Sequence, residues 1–170
     1  MSGRMVAMTL ALALVAPMPA SAEIRAMSPA LSALVDEGMS RSASFRALIA
    51  RIERSDLIVY LREEYASMGS LRGSLTFVAS AGGSRYLLIR LAARSRTRRL
   101  STLAHELQHA VEIAERPDIV DEASLFRAYA HFGTSDRSNA SGRGRRVDTD
   151  AAVAVGDRVW REAFSARRER

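Results

Sequence analysis

His105-Glu106-Leu107-Gln108-His109 is the stretch on which the reading of this chain turns. On a helix, side chains four apart share a face, so His105 and His109 stand one turn apart and can grip one metal ion. Glu106 projects beside them, toward the place a metal-held water would occupy. A chain of 170 residues meets H-E-x-x-H by chance about once in two hundred, so the setting has to support it. It does: Leu100, Leu103, Ala104, Leu107, Val111 and Ala114 recur at helical spacing and fall roughly opposite the histidines. The spacing predicts a helix that packs by one face and presents both imidazoles on another.

The run His105-Glu106-Leu107-Gln108-His109-Ala110 resembles the metal-binding helix of the zincin metallopeptidases, in particular small gluzincin-like domains whose third ligand is an acid on a later helix. The resemblance implies a Zn2+ ion on His105 and His109 and a zinc-bound water activated by Glu106 as general base. It further implies hydrolysis of a peptide or amide substrate. Metzincins are excluded, because the continuation H-x-x-G-x-x-H would meet Glu112 and Glu115. The gluzincin ligand is a Glu opening an Ala-rich helix in an E-x-x-A-D arrangement, and the nearest counterpart is Asp148-Thr149-Asp150-Ala151-Ala152. Asp148 stands at the ligand position, as Asp rather than Glu and with Ala152 in place of the final acid.

Asp148 ranks first as third ligand, Asp150 second and Glu112 third. Glu112 shares the histidine stripe but lies a further turn along the axis, where a second-sphere role suits it better. Asp121 and Glu122 open the next helix, where an acid satisfies free N–H groups and the dipole before it ligates anything. His131 precedes Phe132-Gly133 at a helix end, where an imidazole also suits free carbonyls. Tyr129, on that same helix, offers a phenol that could donate to a developing oxyanion, against the plainer role of a packed core tyrosine.

Residues 1 to 22 combine Arg4, an apolar run from Val6 to Ala16, and Pro17-Met18-Pro19-Ala20-Ser21-Ala22 ending in A-x-A, the pattern of a secretory signal peptide. Residues 23–170 are then one exported domain, periplasmic or extracellular, with no integral membrane segment after cleavage. The chain has no cysteine, which removes thiolate ligands and cysteine nucleophiles and leaves imidazole and carboxylate as the site chemistry. Net charge is +6, and loss of the single charge on Arg4 lowers it to +5. Arginines cluster at Arg94, Arg96, Arg98 and Arg99, at Arg143, Arg145 and Arg146, and in the tail. No aromatic residues interleave these runs, so they read as solvated surface and not as a nucleic-acid platform.

The order of elements predicts an α+β, small zincin-like domain. Ser28-Pro29 opens one N-terminal helix, and Ser40 to Ile52 carries Phe45, Leu48, Ile49 and Ile52 at helical spacing. About three strands of a short antiparallel sheet follow: Leu57–Leu61, then Ser74–Val78 and Tyr86–Leu91 flanking the hairpin signal Ala81-Gly82-Gly83-Ser84. After the metal helix come two further C-terminal helices. The second, from about Asp148 to Ala166, is expected to bury Ala151, Ala152, Val155, Val159, Trp160 and Phe164. Residues 134–147 lack apolar periodicity and read as a flexible loop.

Two function classes fit. One is an exported zinc-dependent hydrolase, a peptidase by resemblance. The other is a noncatalytic exported basic domain with a structural or vestigial zinc site that binds an anionic envelope component.

Overall fold

The structure, a computed structural model, describes residues 22–65, 72–93, 98–132, 134–135 and 147–164. The signal-peptide reading and most of the expected flexible loop fall outside these residues. The described residues form an α+β fold with five helices and a four-stranded mixed sheet.

Ser28 caps the first helix, α1 (Pro29–Arg41), by accepting the Leu31 N–H, and Pro29 presets the first helical φ. The helical periodicity from Ser40 to Ile52 is broken at Ser42, where α1 ends and α2 (Ala43–Glu53) begins. Ser42 is fully buried, accepts the Phe45 N–H at 3.0 Å and donates to Glu162 at 2.6 Å. A hydroxyl with both of its roles used inside the core competes with helix continuation, which is why one periodic stretch makes two helices.

The expected antiparallel sheet of three strands is corrected to four strands with mixed pairing. β2 (Leu57–Glu64) is central, β3 (Gly73–Ala81) and β4 (Ser84–Ala92) form the hairpin, and an additional strand β1 (Glu23–Ala26) precedes α1. The order is β1-β2-β4-β3, with β3 antiparallel to β4 but β1 and β4 both parallel to β2. Gly82 and Gly83 take positive φ at the hairpin turn, as its sequence predicts. The run Leu57-Ile58-Val59 is buried without alternation, the signature of a strand covered on both faces. β1, Glu-Ile-Arg-Ala, is too short and polar to signal itself, and it exists through its register with β2, from Glu23↔Ile58 to Ala26↔Leu61.

α3 (Arg99–Ala114) carries the H-E-x-x-H motif through the middle of the molecule. It packs on α2 and the sheet with Leu100, Leu103, Ala104, Leu107, Val111 and Ile113, all buried. α5 (Asp150–Phe164) packs along another side of α3, and Glu106, Gln108 and His109 are buried as well. The buried stripe of α5 is Ala152, Gly156, Val159 and Ala163, all small or β-branched. A Cβ at Gly156 would lie 3.0 Å from the Ser101 carbonyl oxygen and 3.5 Å from the His105 Cβ. Bare backbone at this position therefore lets α5 close on α3 beside the first histidine. Two expectations fail on this seam: Ala151 is exposed and Trp160 is 38 % exposed. An indole is too bulky for so close a crossing. It sits at the rim, with the Arg98 guanidinium 5.7 Å from its ring centre.

Between α3 and α5 run α4 (Glu122–Phe132) and a two-stranded ladder of β5 (Thr134–Ser135) and β6 (Val147–Asp148). Both ends of the expected flexible loop are thus paired strand. Asp148 lies on β6 and not within the last helix, because Thr149 takes the N-cap and accepts the Ala152 N–H at 3.1 Å.

Buried Arg85 fixes the far end of α3. Its guanidinium makes a double hydrogen bond to Asp56 at 2.7 and 2.6 Å and donates to the carbonyls of Ile113, Ala114, Arg116 and Ile119. These are carbonyls of the last turn and the following loop, several of which a helix leaves without a partner of its own.

Candidate metal centre

One turn of α3 sets His105 and His109 with ring centres 5.0 Å apart, and β6 brings Asp148 to both. Asp148 Oδ1 lies 3.3 Å from His105 Nε2 and 3.8 Å from His109 Nε2. Each of the three residues offers one ligand atom, and all three atoms lie within 4.8 Å of one another. Bonds of about 2.0–2.2 Å in a tetrahedral set place donor atoms about 3.4 Å apart, and the separations of Asp148 Oδ1 from the two imidazoles, 3.3 and 3.8 Å, are near that spacing. The group can hold a metal ion. Asp148, first in rank by sequence, is the acid gathered here.

The other candidates are elsewhere. Asp150 is exposed on the first turn of α5, and Glu122 is exposed on the first turn of α4. Asp121 caps α4 by accepting the Ser124 N–H at 2.6 Å. The His131 side chain lies outside the described residues. Glu112 sits behind the site: its Oε2 is 2.9 Å from His109 Nδ1, the ring nitrogen turned away from Asp148. A carboxylate only accepts, so Nδ1 carries a proton, and in the neutral ring Nε2 then keeps its lone pair for a metal.

Three donors hold Glu112. His109 and the Tyr129 hydroxyl, at 3.1 Å, share Oε2, and Thr149 Oγ1 donates to Oε1 at 2.7 Å. Tyr129 is 7 % exposed and its oxygen lies 3.1 Å from His109 Nδ1, so its phenol serves the back of the histidine. Burial and the neighbouring carboxylates push its pKa far up, so it stays a neutral donor.

The electrostatics suit a cation. Burial pulls the His105 pKa below its ordinary value, opposed by the charge of Asp148, so this imidazole is neutral near pH 7. Burial acts on His109 in the same sense, but the hydrogen bond and charge of Glu112, with Glu106 and Asp148 nearby, raise its pKa overall. Burial pushes Glu112 up, yet its bonds from His109 and Thr149 hold it below the usual carboxylate range. Three carboxylates around two imidazoles make this pocket electronegative in a chain whose net charge is +6.

Glu106 is 7 % exposed, one position from His105. A Cβ on Gly73 would stand 2.7 Å from Glu106 Oε1, so the first residue of β3 passes directly against this carboxylate. β3 is an edge strand, and its outer edge has no strand partner among the described residues.

Thr149, Gly73 and Gly156 were not recognised as site-shaping residues from sequence. Thr149 had a local signal, since a Thr ahead of Asp-Ala-Ala is a ready N-cap. The glycines act through close approach between elements distant in the chain, which leaves no local pattern. No protein-family model, no curated protein and no solved structure matches this chain.

Proposed function

We propose that this protein is a zinc-dependent hydrolase of peptide or amide bonds. The observation that carries the reading is the convergence of His105 Nε2, His109 Nε2 and Asp148 Oδ1 on one point, with Glu106 next to the first ligand. Imidazole nitrogens and a carboxylate suit zinc, and three protein ligands would leave a fourth position for chemistry. A bound zinc would supply a Lewis acid for the scissile carbonyl and lower the pKa of water. Glu106 is the general base: it takes the proton of the attacking water and returns it to the leaving amine. Its burial against Gly73 strengthens its interaction with nearby charge. The edge of β3 that has no strand partner among the described residues starts at this carboxylate, and backbone hydrogen bonds from it to an extended chain would favour a peptide over a small amide.

Export rests on the sequence of residues 1–22 alone. Among the described residues no helix is long and apolar enough to cross a membrane. The alternative of a noncatalytic domain with structural zinc calls for four protein ligands, and the described residues bring together three.

The test is metal content by elemental analysis after dialysis, alongside hydrolysis of a peptide library. Wild type is expected to retain one zinc per chain, His109→Ala to lose both metal and turnover, and Glu106→Gln to keep the metal and lose turnover. A folded wild type that takes up no zinc on resupply overturns the proposal.

A further inference from the structure

The third ligand is placed by an unusual local arrangement. Asp148 stands on the two-residue strand β6, outside the helix that follows, so no helical hydrogen-bond ladder fixes its backbone. Two neighbouring contacts help to set it instead. Its backbone pairs with Thr134 of β5, and its Oδ1 accepts the Thr149 N–H at 2.9 Å. Thr149 is itself buried, and both capacities of its hydroxyl are used: it accepts the Ala152 N–H at 3.1 Å and donates to Glu112 Oε1 at 2.7 Å. The opposite oxygen of Glu112 receives the Nδ1–H of His109.

We infer that Thr149 and Glu112 are positioning residues that seat Asp148 and His109 as one unit, so that the third ligand and the second imidazole reach their binding geometry together. The inference rests on the metal-centre reading and assigns a role to two side chains that do not themselves contact the ion. Its physical core is one hydroxyl that caps α5 and anchors Glu112 in the same conformation. When that hydroxyl turns away, the cap is lost, the carboxylate behind His109 loses a donor, and the N–H that holds Asp148 is released from its frame. A valine at this position keeps the shape of threonine but has neither donor nor acceptor, whereas a serine keeps both.

The experiment titrates zinc, and separately cobalt(II) with its visible absorption, into metal-free full-length wild type, Thr149→Val, Thr149→Ser, Glu112→Gln and the Val/Gln double variant. Every titration is run well below the melting temperature of each metal-free protein. Thr149→Val and Glu112→Gln are each expected to weaken metal binding about 10- to 100-fold, the range seen for partners behind metal-bound histidines, and to alter the cobalt spectrum. Thr149→Ser should bind within about threefold of wild type, and the double variant should be no weaker than the poorer single one, as for two residues acting through one link. If Thr149→Val lowers the melting temperature of the metal-free protein yet binds zinc as wild type does, its role is capping alone and the inference falls. Independent, multiplying losses in the double variant also overturn it. Failure of wild type to bind either metal would instead strike the metal-centre reading beneath it.

Discussion

Gly73 shows how closely the proposed chemistry would depend on a residue with no chemistry of its own. The two nearest atoms to a Cβ at that position, each 2.7 Å away, are Glu106 Oε1 and Thr102 Cγ2, so Gly73→Ala can be accommodated only by a shift around this carboxylate, and the Glu106 side chain is the flexible one. Misplacing a catalytic group by about 1 Å can cost 10²-fold in rate. We therefore expect Gly73→Ala to lose about that factor in turnover of whatever peptide the wild type cleaves, while zinc content is unchanged. Steady-state kinetics beside elemental analysis check it; turnover within about threefold of wild type would show that Glu106 does not act from where it lies. At this scale the sequence was informative where chemistry is local. His105, Glu106 and His109 announce themselves by spacing, and Asp148 by its place in a helix-opening pattern. Glu112 was read as a neighbour of the site, but its grip on His109 Nδ1 depends on rotamers that spacing does not encode.

Arg85 does for an element what Gly73 does for a residue. With one guanidinium it joins Asp56, just ahead of β2, to four carbonyls at and beyond the C-terminus of α3, and so sets where that helix ends against the sheet. Arg85→Met keeps the length of the side chain but leaves those carbonyls and Asp56 without their donor. Arg85 is buried but Asp56 is 39 % exposed, so solvent screens part of the pair and the expected loss in urea unfolding at pH 7 is about 2 kcal/mol, below that of a pair buried on both sides. A loss under about 1 kcal/mol would mean that water replaces the guanidinium and that α3 is held by apolar packing alone. Helices and hairpin strands were readable because periodicity and turn glycines are local signals. The parallel pairing of β1 and β4 with β2 was not, since register between distant segments has no sequence period. The exposed Trp160 likewise reflects the tightness of the crossing at Gly156, a property of two helices together.

At the scale of the whole molecule, the candidate site spans two halves of the chain: α3 carries two of the residues that could hold an ion and the segment leading into α5 the third. A ligand that binds only the folded state stabilises it by about 2.7 kcal/mol when its free concentration is 100 times Kd. Zinc at that excess should raise the unfolding free energy by about this amount, with added amide-exchange protection concentrated in β6 and α5. A uniform gain across the sheet, or none, would argue against a centre built on Asp148. The late position of Asp148 also orders events in time. The hairpin of β3 and β4 pairs neighbours in the chain, whereas Asp148 meets His105 across a long stretch of it, so loop-closure entropy favours the hairpin first and the third candidate ligand later. While the chain is still folding it can offer an ion a pair of imidazoles but not the full set, so tight metal capture would come last and would mark a finished molecule.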